Sequence, residues 1–592
     1  HAAPLAIIAA SVFSEDEEFY LSRSLPTIEY TLSRSGYRWA TDLVPSGYNK
    51  TLETLRLNPF NSQFNTSYYE GLHRLLGGLN PWLVSIALPG DTLRKTKGYS
   101  TQVLSWVQAI SAYNLTGDEK WKRFATSTAD RYIDLQIYKN SSQPVGLMSF
   151  YNTNVYAPWW DLIDLYELTK EEKYLKAAQY GASNTIAGIR SFPTVTEDLQ
   201  TIHPGNRFDG NTNLWWKGKE KYRLGFPRVA NDAQEKQVPE WLVSPVGLGF
   251  EQPSTYFLRT KGKQVRPVFM SNWAPHLLRL YQYTRKPIYE TYARNGVIGR
   301  FTNYPGYYAT GYTDITLSPD FPYKGPDVSS IYYHHIPPHL AFTWDYLVSE
   351  AIERSNGNIN FPFCKQEGFV WFTNRIYGNE KGKIFGDSKA KLWIKKGLIQ
   401  IDNPTVNYLT AVSDKYFWVI LSGESKQEES LTIRLDKVAE LVGQGDIVQY
   451  TEKGKTAKVN RVGNAVKVSV PGKGFRALAF PLAETRKENR YPVLKNGIKV
   501  VDMGEPFGKV FLFRIRSPFG WDSVYGFAET APAKEKEMSV SVECNGQSCT
   551  VSSYPFEWSF YKLGMDEKAV VKVTVSSKGQ VDKTEEIILN SK

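Results

Sequence analysis

The side chains in this chain best suited to chemistry are clustered Tyr and His residues, most densely in the run Ser329-Ser330-Ile331-Tyr332-Tyr333-His334-His335. The candidate catalytic residues are Tyr332, Tyr333, His334, His335 and His203. Nearby cations lower the pKa of a Tyr, and a neutral His accepts a proton, so such a cluster can move protons near neutral pH. A strand-like turn whose side chains only pack is the alternative for this run.

A Gly-, Pro- and Trp-rich segment from about Phe192 to Arg266 supplies most of the candidate binding residues. Its length and its mixture of Asn, tandem Trp and cations favour a binding loop over simple packing. The candidate substrate-binding residues, here and elsewhere, are Arg207, Asn211, Asn213, Trp215, Trp216, Arg223, Arg228, Trp159, Trp160, Tyr69 and Tyr307. Arg neutralises carboxylates and Trp faces stack on sugar rings, so the expected partner is a uronic-acid-containing oligo- or polysaccharide.

These residue types suit removal of the C-5 proton of a uronic acid, which precedes elimination at C-4. A glycoside hydrolase would instead use two carboxylates beside the scissile bond. The candidate carboxylates are Glu70, Asp161, Asp209, Asp232, Glu235, Glu251 and Asp314, and spacing singles out no pair. A non-catalytic glycan-binding protein with the same aromatic platforms is the third alternative.

Several other classes of protein are disfavoured. His334, His335 and His339 have an H-H-x3-H spacing, but Pro337-Pro338 interrupts it and no Glu stands at the metalloprotease position, so no metal is predicted. Gly-rich nucleotide motifs are missing, and no cofactor is expected. The net charge of +11 comes from scattered residues, which disfavours nucleic acid, and no stretch of about twenty apolar residues predicts a transmembrane segment.

An internal repeat organises the first half of the chain. The pattern Tyr-x-x-Thr-x4-(Trp/Tyr) starts at Tyr113, Tyr166 and Tyr281, each time between two apolar stripes with helical spacing. Each copy predicts two antiparallel helices joined by a short turn, and a single hairpin of this kind cannot bury both faces. Hairpins packed in a ring would surround a central cleft with the loops at one end of the inner helices.

The predicted fold class is α+β and multidomain, with an incomplete (α/α) toroid of helical hairpins followed by antiparallel β-sandwich domains. Helical patterns run from Glu15 to about Ser355, and alternating strand patterns follow Gly357. The expected bounds are 1–357 for a catalytic toroid, 358–482 for a β-sandwich and 491–592 for a small C-terminal β domain. The charged stretch Ala483–Arg490 is the predicted linker.

The start of the chain and its cysteines bear on location. Residues Ala2 to Phe13 are apolar without a charged leader, which predicts a mature or truncated chain whose targeting signal has been removed. Export to the periplasm or the outer cell surface is therefore expected. Cys544 and Cys549 could close a small disulfide loop, which would leave Cys364 unpaired.

The hairpin repeat, the Trp/Tyr/Asn loops before the helices and the following β-sandwich resemble the α/α-toroid polysaccharide lyases of Bacteroidetes over about Glu15 to Leu482. Those enzymes use Tyr, His, Arg and Asn, and this chain has Tyr332, His334, Arg207 and Asn211. More narrowly, the chain is similar to the L-rhamnose-α-1,4-D-glucuronate lyases. That resemblance implies β-elimination at a glucuronate and removal of rhamnose caps from arabinogalactan.

Overall fold

A computed structural model describes most of the chain, with gaps between the described ranges. The described residues are 4–34, 66–88, 105–139, 157–188, 198–202, 205, 235–239, 273–303, 336–367, 373–395, 397–403, 405–487, 489–529, 537–553 and 556–592. No helix in these ranges is both long and apolar enough to span a bilayer.

The first half of the described chain is helical. The helices are α1 Pro4–Ser14, α2 Glu17–Phe19, α3 Leu25–Arg34, α4 Thr66–Leu75, α5 Trp82–Ala87, α6 Trp106–Thr116, α7 Glu119–Tyr132, α8 Asp161–Thr169, α9 Glu172–Gly188, α10 Ala274–Thr284, α11 Pro287–Asn303 and α12 Ile336–Arg354. Two π-helical turns, Tyr20–Ser24 and Ile133–Ile137, join α2 to α3 and extend α7. The pairs α6–α7, α8–α9 and α10–α11 are the three hairpins that the repeat predicts.

The repeated Thr forms the corner of each hairpin. Thr116, Thr169 and Thr284 each donate a hydroxyl hydrogen bond to the carbonyl four residues earlier, at 2.7, 2.8 and 2.6 Å. The same oxygens accept the backbone N–H two residues later, at 3.2 to 3.3 Å. The intervening residue is left-handed in every copy, with φ of +67°, +62° and +55°. The motif therefore ends one helix and turns the chain into the next.

The inner helices of the ring are α4, α6, α8, α10 and α12, and they run parallel. Ser111 Oγ donates to Ser67 Oγ at 3.0 Å and Asn114 donates to Glu70 at 3.0 Å, so α6 and α4 advance together. The Trp160 and Trp273 rings lie 4.7 Å apart where α8 and α10 begin. Near the ends of the same two helices, Tyr283 donates to Glu167 at 2.7 Å.

Helix α12 also runs parallel to these helices, and α1 lies between α12 and α4. Arg279 pairs with Asp345 in the middle of α10 and α12, and Arg285 pairs with Glu353 near their ends. Helix α1 contacts both α4 and α12. With α7, α9 and α11 outside, the described helices form an incomplete (α/α) toroid, as the sequence predicts.

Strands follow the last helix. They are β3 Ile359–Asn360, β4 Phe363–Glu367, β5 Thr373–Tyr377, β6 Gly382–Ile384, β7 Asp387–Leu392, β8 Gln400–Ile401, β9 Val406–Val412, β10 Tyr416–Gly423, β11 Glu429–Arg434, β12 Ile447–Thr451, β13 Gly454–Val459, β14 Arg461–Val462, β15 Ala465–Val470 and β16 Phe475–Pro481. A short pair, β1 Leu199–Ile202 and β2 Lys236–Pro239, precedes α10, and a 3₁₀ turn covers Asp436–Val438. The C-terminal strands are β17 Ile498–Gly504, β18 Gly508–Arg516, β19 Asp522–Glu529, β20 Met538–Cys544, β21 Gln547–Val551, β22 Glu557–Leu563, β23 Ala569–Ser577 and β24 Lys583–Leu589.

These strands form two antiparallel sandwiches. In the first, the eight-stranded sheet β13-β12-β16-β10-β9-β7-β6-β3 packs on the four-stranded sheet β14-β15-β11-β8 through residues such as Val419, Leu478 and Ile433. In the second, sheet β17-β18-β19-β22 packs on β21-β20-β23-β24 through Leu512 and Val573, among others. The outer faces of both sandwiches join one core with the N-terminal helices, where Trp418 and Phe513 belong to the same cluster as Leu5.

Two expectations about local structure need correction, and a third is not tested. The first helix is α1, which precedes the predicted helical start at Glu15; its residues are apolar on nearly every side, so no amphipathic period reveals it. The strand expected at Phe369–Phe372 falls on residues outside the described ranges, between β4 and β5. Cys544 and Cys549 are both free, because the register pairs Cys544 with Gln547 and Cys549 with Val542.

The helix-to-strand change comes just after α12, close to the expected bound at 357. Within the predicted linker, the Ala483 N–H donates to Leu441 O at 2.9 Å and the Arg486 N–H donates to Asp414 O at 3.0 Å. This segment therefore lies against the first sandwich. The three-domain division stays a proposal.

Candidate functional site at the centre of the helical ring

A β-hairpin made of β4 and β5 occupies the interior of the ring. Strand β4 packs on α4, and β5 packs on α12. Arg74, at the end of α4, donates to the carbonyl of Phe363 at the start of the hairpin. Lys365 pairs with Asp161, the first residue of α8, and His276, in the first turn of α10, bonds Thr373 O at 2.8 Å. The hairpin therefore runs from the ends of the inner helices toward their starts.

Three buried side chains, His276, Arg279 and Asp345, are linked in a row beside this hairpin. Arg279 Nη1 lies 2.7 Å from His276 Nδ1, and a guanidinium can only donate, so Nδ1 accepts. His276 Nε2 then carries the proton and donates to Thr373 O. Burial first, and the Arg279 charge second, lower the pKa of His276 to about 3. His276 is neutral with both ring nitrogens engaged, so it is not available as a catalytic base.

Asp345 collects four donors at the centre. It accepts from the Arg279 guanidinium, from the Arg375 backbone N–H at 2.9 Å, from Ser349 Oγ at 3.1 Å and from Asn374 Nδ2 at 3.4 Å. Burial alone would raise the pKa of this carboxyl, but Arg279 and the other donors hold the pKa below its usual value. Asp345 is therefore a charged, fully satisfied anchor for β5.

The side chain of Arg375 locks the hairpin to α8. Its guanidinium donates to Asp164 at 2.6 Å and to Glu167 at 2.5 Å, and it stacks 3.9 Å from the centre of the Phe363 ring. Burial is the main cause that raises the pKa of Asp164, against the lowering effect of Arg375. Cations of the hairpin thus pair with the acidic side chains of α8.

Most of the predicted site residues lie outside the described ranges. These are the candidate catalytic residues Tyr332, Tyr333, His334, His335 and His203, and the candidate binding residues Arg207, Asn211, Asn213, Trp215, Trp216, Arg223, Arg228 and Tyr307. Their roles remain predictions. The described chain resumes directly after His335, at the first residue of α12.

Three predicted binding residues are described, and all are buried. Trp159 and Trp160 are 0% and 5% exposed, and Tyr69 is 1% exposed. Trp159 donates its indole N–H to Thr185 at 2.7 Å, while Trp160 stacks on His276 with ring centroids 5.8 Å apart. The tandem Trp therefore builds the core where α8 begins, and its predicted role as a sugar platform is untested.

Sequence reasoning missed the residues that hold the ring together, namely Lys365, Arg375, Arg279 and Asp345. Arg279 stands in Leu277-Leu278-Arg279-Leu280 and Asp345 in Trp344-Asp345-Tyr346, on otherwise apolar stripes. A charge on an apolar stripe signals a buried ion pair, because an unpaired buried charge is costly. Among the described residues, no group of three His, Cys, Asp or Glu side chains could hold a metal ion.

Comparisons with known proteins find no family and only distant structural similarity. No protein-family model matches the chain, and no curated protein matches it. It is similar to a solved GH127 β-L-arabinofuranosidase from Geobacillus stearothermophilus T6, at 11% identity over 99% of this chain and 86% of that one, with a TM-score of 0.24. It is also similar to an FMN-binding β-glucuronidase from Faecalibacterium prausnitzii L2-6, at 11% identity over 32% of this chain and 39% of that one, with a TM-score of 0.11. Such low TM-scores carry no argument about fold or activity.

Proposed function

We propose that this protein is a glycan-active enzyme whose substrate lies at the end of the ring where the inner helices begin. One observation carries the proposal. Helices α4, α8, α10 and α12 run parallel, and each begins within or just after a segment that holds predicted site residues. Segments that lead into parallel helices meet at one end of a ring, as loops do at one face of other enzyme scaffolds.

The reaction we propose is β-elimination at a glucuronate-type residue of a polysaccharide. Tyr332 or Tyr333 would take the C-5 proton, with His334 or His335 as its partner. The C–H electron pair would form the C-4=C-5 double bond as the C-4–O bond breaks, and the leaving oxygen would receive a proton. Arg207, Arg223 and Arg228 would neutralise the carboxylate, which makes the C-5 proton more acidic. The narrower substrate, rhamnose-capped arabinogalactan, belongs to this proposal.

Some of the carboxylates considered for hydrolysis are engaged by the protein itself. Of the seven candidates for a hydrolytic pair, Asp161 is paired with Lys365, and Glu70 accepts from Arg74 and Asn114. Glu235 accepts the Gly205 N–H at 2.7 Å. Three candidates are thus already bound by protein donors, while Asp209, Asp232, Glu251 and Asp314 lie outside the described ranges.

The test follows two products in one reaction. Wild-type protein is incubated with arabinogalactan and other uronic-acid glycans, and both the ultraviolet absorbance of a new C-4=C-5 bond and the released sugar are recorded. Tyr332→Phe and Tyr333→Phe are compared with Tyr408→Phe, which changes a 42% exposed Tyr on β9. We expect one of the first two variants to lose about 10²- to 10⁴-fold in rate, the usual contribution of a general acid or base, and Tyr408→Phe to lose nothing.

Release of sugar without ultraviolet absorbance would show that the reaction is hydrolysis and not elimination. Binding of glycan without either product would point to the non-catalytic alternative. Full activity in both Tyr332→Phe and Tyr333→Phe would overturn the assignment of the base.

A further inference from the structure

A basic pocket of about 290 Å³ lies where α1, the first sandwich and the chain leading into β17 meet. Val12 and Glu15 come from α1 and the turn after it, and Lys389 and Lys391 come from β7. Pro518 and Phe519 come from the turn between β18 and β19. The pocket is therefore assembled from parts of the chain that are hundreds of residues apart, and it does not belong to the site proposed above.

Positive charge is in excess around this pocket. Its lining cations are Lys381, Lys389, Lys391, Arg486 and Lys487, and its lining carboxylates are Glu15 and Asp414. Arg486 and Lys391 hold Glu15 at 2.5 and 3.4 Å, and Lys389 holds Asp414 at 2.6 Å. Each of these carboxylates is thus paired, and the described residues of the lining carry three more positive than negative charges. That excess suits an anionic ligand such as the carboxylates of a sugar acid.

Aromatic rings and amides line the same pocket. Tyr491 and Phe519 are half-buried, and Asn379 and Asn489 stand beside them. The Phe519 ring packs 5.2 Å from the Tyr20 ring, and the Tyr491 hydroxyl lies only 2.8 Å from where a Cβ at Gly520 would be. Both rings are therefore held in place by close packing. Fixed aromatic faces next to amides and cations are what a polar saccharide needs for stacking and hydrogen bonding.

The pocket continues into a longer groove. A second cavity of about 650 Å³ shares Asn379, Lys381 and Tyr491 with it and extends to His73 and Arg74 at the end of α4. Arg74 also lines a third cavity, of about 1000 Å³, at the ends of the inner helices. The groove thus leads to the ring from the end opposite to the proposed active site.

We propose that this pocket and groove are an accessory binding site for uronate-bearing oligosaccharides, with Lys389 and Lys487 at the sugar carboxylates and Tyr491 as the stacking platform. The identity of the ligand as an acidic glycan rests on the proposed function. The binding measurement below does not need turnover, so the two proposals fail independently.

The test measures binding by calorimetry at low ionic strength, with a glucuronate tetrasaccharide as the probe. In the double variant Lys389→Glu/Lys487→Glu, both side chains are exposed, and the excess of three positive charges becomes an excess of one negative charge. The matched control is Lys458→Glu, on β13, which lies five strands from β7 in the same sheet and is also paired with one carboxylate, Asp446.

We expect the double variant to lose the accessory binding step, with affinity at least about tenfold weaker, as charge reversal at two exposed contacts allows. Lys458→Glu should bind as the wild type does. Tyr491→Ala should also weaken binding, because a stacking surface is lost, and the carboxyl-reduced tetrasaccharide should bind weakly to every form.

An unchanged isotherm in the double variant would overturn the proposal, as would an equal loss in Lys458→Glu. Equally tight binding of poly-L-glutamate would point to an acidic protein partner and would also overturn it. Binding by the wild type with no elimination product would leave this site standing and reject the lyase. If elimination proceeds while the double variant binds normally, the lyase proposal stands and the accessory site is rejected.

Discussion

Arg279 and Asp345 form an ion pair that the ring encloses almost completely, with side-chain exposures of 3% and 0%. The desolvation cost of such a pair is recovered only when every remaining donor and acceptor is satisfied. Here His276, Ser349 and the β5 backbone satisfy most of the set, and Arg279 Nε is left without a hydrogen-bond partner among the described residues. The pair therefore fixes where β5 sits between α10 and α12.

Asp345→Asn should destabilise the protein strongly, because it leaves the Arg279 charge buried without its counterion. We expect a loss of about 3–5 kcal/mol, as for other broken buried pairs. Urea unfolding followed by tryptophan fluorescence measures the effect. The control, Asp446→Asn, removes a 63% exposed partner of Lys458 and should change the midpoint by no more than a surface pair does. Equal midpoint shifts in the two variants would contradict this account of the centre.

The residues of the candidate site were only partly predictable. Tyr and His clusters are visible in sequence because they are rare and polar, but their roles stay predictions. Lys365 and Arg375 were missed because their partners, Asp161 and Asp164, are about 200 residues away in sequence. A pairing over that distance depends on the hairpin entering the ring, which no local pattern encodes.

The helical hairpins were the most predictable elements, because the corner motif and the apolar stripes are both local. Equivalent residues in the repeat follow the same offsets, so Trp106, Trp159 and Ala274 occupy one position, and Gly181 and Gly296 occupy another. A Cβ at Gly181 would lie 2.5 Å from Trp159 Cβ, whereas a Cβ at Gly296 would lie 3.4 Å from Ala274 Cβ. Gly181 is required in α9 because the Trp159 side chain, just before α8, leaves no room for a Cβ.

This difference predicts opposite outcomes for one substitution at two equivalent sites. Gly181→Ala should destabilise the protein by about 1–3 kcal/mol, since a crowded core must shift. Gly296→Ala should be neutral or stabilising by up to about 1 kcal/mol, because Ala is the better helix former and its Cβ makes an ordinary contact. Thermal unfolding by circular dichroism compares them. A stabilising Gly181→Ala would show that α9 does not need the close approach to Trp159.

Strands were predictable where residues toward the core alternate with more exposed ones, as in β15, Ala465–Val470. Short or fully polar strands such as β13 and β14 were not predicted, since Gly454–Val459 has little apolar content to alternate. Strand β19 was not predicted for the opposite reason. Seven of its eight residues are buried, so apolar and polar residues do not alternate clearly along it. Tertiary burial, not local preference, fixes such strands.

On the scale of the whole molecule, the N-terminal helices are fastened to the C-terminal sandwich. Trp521 donates to Glu17 at 2.9 Å, Asn80 donates to Arg516 O at 2.8 Å, and Ser559 donates to Glu29. Residues more than 400 positions apart therefore share one core. The toroid and the two sandwiches should unfold with strong coupling between them.

Glu29 makes this junction sensitive to pH. Burial, and secondarily the charge of Glu557, raise the pKa of Glu29 to about 8, against the hydrogen bond from Ser559. The folded state then binds the proton more tightly than the unfolded state, whose pKa is near 4.5. The contribution of Glu29 to stability is therefore full at low pH and falls as the pH rises from about 4.5 to about 8.

Glu29→Gln should remove this dependence, since the amide stays neutral. We expect the melting temperature of the wild type to drop more between pH 5 and pH 8.5 than that of Glu29→Gln, by several degrees for each kcal/mol involved. Differential scanning calorimetry at both values measures the slopes. Glu440→Gln, at an exposed site, serves as the control and should keep the wild-type slope. Parallel slopes for all three proteins would rule out Glu29 as the titrating group.

Helix α1 has a consequence for biogenesis. Its Leu5 N–H donates to the Gln366 side chain at 3.1 Å, and its Phe13 carbonyl accepts from Ile394 at 3.1 Å. At ordinary translation speeds of about 5–20 residues per second, some 360 residues take roughly 20–70 s to synthesise. During that time α1 has α3 and α4 beside it but lacks α12 and β5, and the ring cannot close. The face of α1 that packs on α12, β4 and β5 should therefore stay exposed on the nascent chain until those elements have been made.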